Sequence, residues 1–162
     1  MKNNSPSQTV QVQSPLGPIK VQFNEERGIE AIGFGSKNEA LQTSTHQWIQ
    51  NLQQWLNDYF EGSAKKVRIP FAEKGSDFQK KVWKALSHIP YGQTRTYQQI
   101  AQSIGHPKSY RAVGNAVGAN PWMIYIPCHR VVRASGDLGG YAYGQNIKKE
   151  LLSIENATYS QC

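Results

Sequence analysis

The apolar residues of this chain follow one period up to residue 34 and another beyond it, and that change limits the possible folds more than any other feature. Val10 and Val12, then Ile19, Val21 and Phe23, then Ile29, Ala31 and Gly33-Phe34 alternate with polar neighbours, the period of a half-buried strand. Ser14-Pro15-Leu16-Gly17 and Glu25-Glu26-Arg27-Gly28 punctuate the three runs as turns, so the segment reads as an antiparallel meander. From Trp48 the spacing lengthens. Trp48, Ile49, Leu52, Trp55, Leu56, Tyr59 and Phe60 form one stripe of period 3.6 that Gly62 ends, an amphipathic helix whose aromatic residues are core. Residues 1–75 therefore read as a small α+β domain without chemistry of its own, with Ser63 to Lys74 as a linker.

Residues 76–162 read as mainly helical. Ser76-Asp77-Phe78-Gln79 is a capping box opening a helix that buries Phe78, Val82, Ala85 and Leu86, and Pro90-Tyr91-Gly92 ends it. A second capping box, Thr96-Tyr97-Gln98-Gln99, opens a short helix to Ile104. After the turn Gly105-His106-Pro107-Lys108, a third helix is expected from about Pro107 through Val117. Helix, tight turn with glycine and second helix is the helix-turn-helix pattern, and also that of an ordinary helical hairpin. The third helix carries Ala112, Gly114, Ala116 and Gly118, small residues that permit a close approach by DNA or by a neighbouring helix. The expected fold class is α+β: a small strand-meander-plus-helix domain (1–75), then a mainly helical domain with a helix-turn-helix (76–162).

Charge is unevenly shared between these halves. Residues 1–75 hold 8 Lys/Arg against 7 Asp/Glu, and residues 76–162 hold 10 against 4, so the second half carries +6 of the total +7. Such a half suits a polyanion such as nucleic acid, or a surface kept basic for solubility. The polar first twenty residues hold no apolar h-region, and the longest apolar run, Trp122 to Ile126, is too short to cross a bilayer. A soluble, cytoplasmic protein without a membrane partner is expected. The two cysteines, Cys128 and a terminal Cys162 expected to fray, make neither a disulfide framework nor a zinc site.

Cys128 is either a small buried hydrophobe or a nucleophile. Asn120-Pro121 breaks the preceding helix, Trp122 to Ile126 reads as a short strand, and Pro127 presents Cys128 beside His129, with Arg130 and Arg133 close by. A cationic or basic neighbour promotes the thiolate, so Cys128 is expected to be partly ionised near neutral pH. Adjacent residues of a regular strand point to opposite faces, so the pair can act only from an irregular turn. Ile147, Leu151 and Ile154 place a final helix against the core, which makes Glu155 a candidate to orient His129.

Four blocks in order carry a resemblance. Tyr97-Gln98-Gln99-Ile100-Ala101, Arg111-Ala112-Val113-Gly114-Asn115-Ala116, Asn120-Pro121 through Ile126-Pro127-Cys128-His129-Arg130-Val131, and Lys148 with Leu151-Leu152 and Glu155 resemble the 6-O-alkylguanine-DNA alkyltransferase family over residues 76–156. The resemblance implies irreversible, stoichiometric transfer of an alkyl group from 6-O-alkylguanine, and from 4-O-alkylthymine, to Cys128. The partner would be double-stranded DNA, whose damaged base is flipped through the minor groove. No cofactor, metal or obligate protein partner is implied, and the protein would act as a monomer. By resemblance, His129 takes the thiol proton through a water and Glu155 holds His129. Asn120 braces the cysteine turn, Tyr97 faces N3 of the leaving guanine, and Lys148 holds the active-site loop. The backbone of Cys128 and Val131 reads the guanine amine. Arg111 fills the vacated stack, with Tyr110, Ala112 and Gly114 against the DNA. Near Tyr141 the chain departs from the family: Ala142 stands where Ser or Gly is frequent, removing a hydroxyl that would reach the lesion oxygen. Three other readings share parts of the pattern: a non-enzymatic lesion sensor, in which Trp would replace Cys128, a helix-turn-helix regulator, and a cysteine hydrolase.

Overall fold

The computed structural model describes residues 5–36, 39, 41–65 and 67–157; Cys162 lies outside them. The chain divides into two compact units, Met1–Lys74 and Gly75–Cys162.

In the first unit β1 (Gln8–Val12), β2 (Ile19–Asn24) and β3 (Gly28–Phe34) form an antiparallel sheet in the order β1-β2-β3. The alternation predicts Ala31 as the inward partner of Ile29, but Ile32 is buried and Ala31 half-buried. The cause is a bulge: Gln22 pairs with Ala31 and Phe23 with Ile29, leaving Glu30 as the extra residue, and one extra residue reverses the facing of all that follow. Helix α1 (Gln47–Phe60) buries Ile49, Leu52, Trp55, Leu56 and Tyr59, and Trp48 and Phe60 lie half-buried at its margins.

The expected linker is partly sheet. Ile29 N–H donates to Pro70 O at 2.8 Å, Ala72 N–H donates to Ile29 O at 2.9 Å, and Ile69 and Ala72 are buried. Residues 69–72 thus extend the free edge of β3. A Cβ on Gly28 would come 2.5 Å from Pro70 O, so the glycine is what lets this segment pair.

The second unit is built on helices. Both capping boxes form: Ser76 caps α2 (Asp77–Ser87) and Thr96 caps α3 (Tyr97–Ser103). Helix α2 turns Val82, Trp83 and Leu86 fully inward, with Phe78 and Ala85 half-buried. Helix α4 spans Tyr110–Gly118 and packs against α2 and α3. It begins three residues later than Pro107 predicts, because Ser109 N–H bonds to His106 O and closes a turn first. Trp83 crosses between helices, its indole N–H donating to Ala116 O at 2.8 Å. Helix α5 (Gln145–Ile154) buries Lys148, Leu151 and Leu152, whereas Ile147 and Ile154 stay half-buried. A two-residue parallel pair, β4 (Arg95–Thr96) with β5 (Val131–Val132), escapes any sequence pattern. It ties the start of α3 to the residues that follow Cys128. No helix among the described residues is long and apolar enough to cross a membrane, and no group of three or more His, Cys, Asp or Glu among them could hold a metal.

Candidate active site

The segment Trp122 to Ile126 is not the strand its composition suggests. Tyr125 N–H donates to Met123 O and Ile126 N–H to Trp122 O, which folds it into a tight turn. Ile124 sits at φ 68°, a left-handed conformation costly for a β-branched residue. Burial of its side chain offsets that cost. Asn120 clasps both ends of the turn, accepting from Trp122 N–H at 3.0 Å and donating to Ile126 O at 2.8 Å. The chain then enters a single 3-10 turn, Cys128–Arg130. This irregular geometry lets neighbours in sequence serve one site.

Behind the cysteine lies a buried charge network. Glu155, just past the end of α5, is 3% exposed. Its Oε2 meets His129 Nε2 at 2.5 Å, and its Oε1 accepts from Arg130 Nε at 2.7 Å and Gly92 N–H at 3.0 Å. Arg130 also donates to Ile89 O at 2.7 Å. Burial opposes ionisation of Glu155, but the hydrogen bonds from His129 and Arg130 and the charge of Arg130 outweigh it and hold the carboxyl down at about 2. The carboxylate can only accept, so His129 Nε2 carries a hydrogen. Burial lowers the imidazole, prevailing over the pull of Glu155. His129 is therefore neutral, and Nδ1 is the ring nitrogen not committed to Glu155.

The thiol itself departs from the sequence-based expectation. Cys128 is buried, and burial pushes it up, against the opposing influence of Asn120 and of the Lys148 charge. The resting residue is a thiol and not a partial thiolate. Lys148 is pushed down by burial to about 8, and its Nζ donates to Val131 O at 2.6 Å and Gly140 O at 3.1 Å. It thereby pins the glycine loop to β5.

In front of the thiol opens a cavity of about 300 Å³, near the lower limit of ordinary small-ligand sites, ~300–1,000 Å³. Tyr97, Gly114, Val117 and Gly118 line one side, Met123 and Cys128 another, and Gly140, Tyr141, Ala142 and Tyr143 a third. A Cβ on Gly114 would stand 3.8 Å from the Tyr97 ring, and one on Gly118 would meet nothing within 4 Å. Burial, then the proximity of Cys128, raises the phenols of Tyr97 and Tyr141, so both remain hydrogen-bond donors.

Two descriptions match this chain in tandem: "6-O-methylguanine DNA methyltransferase, ribonuclease-like domain" over residues 11–72, and "6-O-methylguanine DNA methyltransferase, DNA binding domain" over residues 77–157. The chain belongs to the 6-O-methylguanine DNA methyltransferase family. It is 45% identical over 150 residues to the methylated-DNA–protein-cysteine methyltransferase of Methanosarcina barkeri, covering 89% of this chain and 94% of that one. The constitutive enzyme of that name from Bacillus subtilis is 39% identical over 158 residues, with 92% and 95% covered. The crystal structure of Mycobacterium tuberculosis OGT in complex with DNA superposes with a TM-score of 0.80 at 38% identity, covering 92% of each chain.

As a member of this methyltransferase family the chain gathers most of its sequence-predicted site residues at one place. Cys128, His129, Glu155, Asn120 and Lys148 are within or directly behind the cavity, and Tyr97, Gly114, Tyr141 and Ala142 line it. Val131 is set apart: it is buried in β5, with its carbonyl engaged by Lys148. Tyr110, Arg111 and Ala112 are exposed on the first turn of α4. Sequence reasoning missed Tyr143, Val117 and Met123, and gave Arg130 only as a cationic neighbour of the thiol, not as a partner of Glu155. That partnership could have been found from the place of Arg130 beside His129, since a basic residue there can serve the same carboxylate. The cavity roles of Val117 and Met123 leave no such mark, because as residue types they are indistinguishable from core.

Proposed function

We propose that this chain repairs double-stranded DNA by moving the alkyl group of 6-O-alkylguanine, and of 4-O-alkylthymine, onto Cys128, once and irreversibly. The observation that carries the reading is a buried thiol on the wall of a base-sized cavity, with Tyr97 lining that cavity and a His129–Glu155 pair behind. A stacked base cannot reach such a cavity, so the damaged nucleotide is flipped out. Arg111, exposed with Tyr110 and Ala112 on α4, fills the vacated stack. The small residues of α4 let it press into the minor groove.

The thiol proton leaves through a water to His129 Nδ1, while Nε2–H stays on Glu155. The sulfur attacks the alkyl carbon, an S–C bond forms, and the C–O6 bond breaks with its electrons going to guanine. The Tyr97 hydroxyl donates a hydrogen bond to N3 of that leaving base, and the proton taken up by His129 passes through water to the base, which leaves as ordinary guanine. Backbone groups at Cys128 and Val131 read the exocyclic amine; the Val131 carbonyl does so with the lone pair that Lys148 leaves open. With Ala142 in the loop, the lesion oxygen has only backbone N–H to meet. The thioether is stable to water, so each molecule acts once, as a monomer and without a cofactor.

The test is intact-mass analysis after incubation with a duplex carrying one 6-O-methylguanine. One methyl per chain, mapped to Cys128 and absent in Cys128→Ser, is the expected result. Catalytic turnover, or a methyl found on Cys162, would refute the assignment.

A further inference from the structure

A second depression in the same unit is larger than the lesion cavity. It is an open groove of about 720 Å³ between α2 and α3, and it shares no lining residue with the site of Cys128. Its floor consists of two short apolar ridges, Ala85 with Ile89 and Ile100 with Ile104, each at spacing i, i+4. Along its α2 rim Lys81, Lys84 and His88 stand at i, i+3 and i+7, all exposed. At its end Arg95 is held in place by Thr94 O at 2.9 Å and Gln93 Oε1 at 3.0 Å. No Asp or Glu lines it.

We propose that this groove docks an amphipathic acidic helix of a partner protein, with apolar side chains between the two ridges and carboxylates along the Lys81–Lys84–His88 row. Two helices side by side offer a third the channel into which its own side-chain ridge packs. A cationic row at i, i+3, i+7 matches an acidic row of the same repeat. Duplex DNA fits the groove less well. Phosphates gain nothing from a floor of alanine and isoleucine, and no Phe, Tyr or Trp lines the groove for a base to stack on. Residues 1–4 and 158–162 hold no Asp or Glu and so do not have the chemistry of that occupant.

The probe is a fluorescein-labelled helical peptide with leucines at i, i+4, i+7 and i+11 and glutamates on the adjoining stripe. Its controls are a scramble of the same composition and the same helix with lysine in place of glutamate. Binding to the full chain is read by fluorescence anisotropy. The patterned acidic peptide is expected to bind saturably, with Kd of about 1–100 μM. Both controls should bind at least about tenfold more weakly. Lys81→Glu/Lys84→Glu, two exposed changes, should abolish most of the binding. Their fold is verified by an unchanged rate of alkyl transfer from the free alkylated base and an unchanged melting temperature. A leucine replaced by a photo-crosslinking residue should label α2 or α3. Absence of saturable binding, equal binding of the scramble, or crosslinks elsewhere would overturn the proposal. So would a loss of duplex affinity in the double variant as large as its loss of peptide affinity, because the groove would then be a track for DNA.

Discussion

Replacing Glu155 by Gln changes one oxygen for an amide nitrogen at the centre of the buried network, and its effects can be worked out from the geometry. The carboxylate accepts from three donors: His129 Nε2 at 2.5 Å, Arg130 Nε at 2.7 Å and Gly92 N–H at 3.0 Å. A glutamine offers one oxygen and one NH₂. Turning the oxygen to Arg130 and Gly92 satisfies two donors and sets the NH₂ against His129 Nε2. His129 must then accept at Nε2 and carry its hydrogen on Nδ1, the nitrogen assigned to receive the thiol proton. A carboxylate-to-amide change that forces the wrong histidine tautomer costs about 10⁴ in rate where it has been measured in a serine-protease triad. A loss of about 10³–10⁴ is expected here, which is ~4–5.5 kcal/mol of barrier. Arg130 would also keep its charge with no buried anion, and breaking one side of a buried pair costs ~3–5 kcal/mol of stability. Single-turnover transfer from the free alkylated base separates chemistry from DNA binding, and urea unfolding measures the second effect. A rate within about threefold of the parent, with melting unchanged, would show that Glu155 neither sets the tautomer nor compensates Arg130.

Other outcomes follow from the same structure. Arg111→Ala should slow repair of duplex DNA by orders of magnitude, because unstacking costs a few kcal/mol, while transfer from the free base stays near parent level; equal losses on both substrates would assign Arg111 to the fold. Since folding lowers Glu155 to about 2, its stabilisation is complete above the unfolded carboxyl value, about 4.3, and drains as pH falls from there towards 2. The stability gap between parent and Glu155→Gln, followed by urea unfolding, should therefore narrow over that acid window, and a constant gap would contradict it. Gly28→Ala should destabilise by more than the ~1 kcal/mol that a strain-free Gly→Ala change gains, since Gly28 has φ +102° and its Cβ would meet Pro70 O; accelerated hydrogen exchange at Ile29 and Ala72 would report the lost edge. DNA affinity should fall steeply with salt and vary little with flanking sequence, whereas strong preference for one undamaged sequence would favour a regulator.

What could be read in the sequence was what local chemistry decides. Ser76 and Thr96 announced their helices through capping boxes, and the strands of the meander stood out by alternation. Glu155 was reachable as the partner of His129 because the final helix had a clear apolar face. The errors arose where a few residues answer to distant contacts. The bulge at Glu30 inverts the facing of Ile32 without any local mark. Residues 69–72 look like a linker because the edge of β3 that recruits them lies some forty positions earlier. Trp122 to Ile126 has the composition of a strand, yet the clasp of Asn120 folds it into a turn. The ionisation of Cys128 was misjudged because sequence shows cationic neighbours but not desolvation, which here prevails.

That desolvation bears on how long an idle molecule keeps its worth. A chain consumed by its one reaction cannot repair a premature loss. Exposed thiolates are the cysteines that peroxides and stray electrophiles reach first. With Cys128 kept protonated inside a narrow cavity, the reserve of unreacted protein keeps its potency between encounters with damage. Slowness towards everything that does not enter the cavity is, in this fold, the condition for a long shelf life.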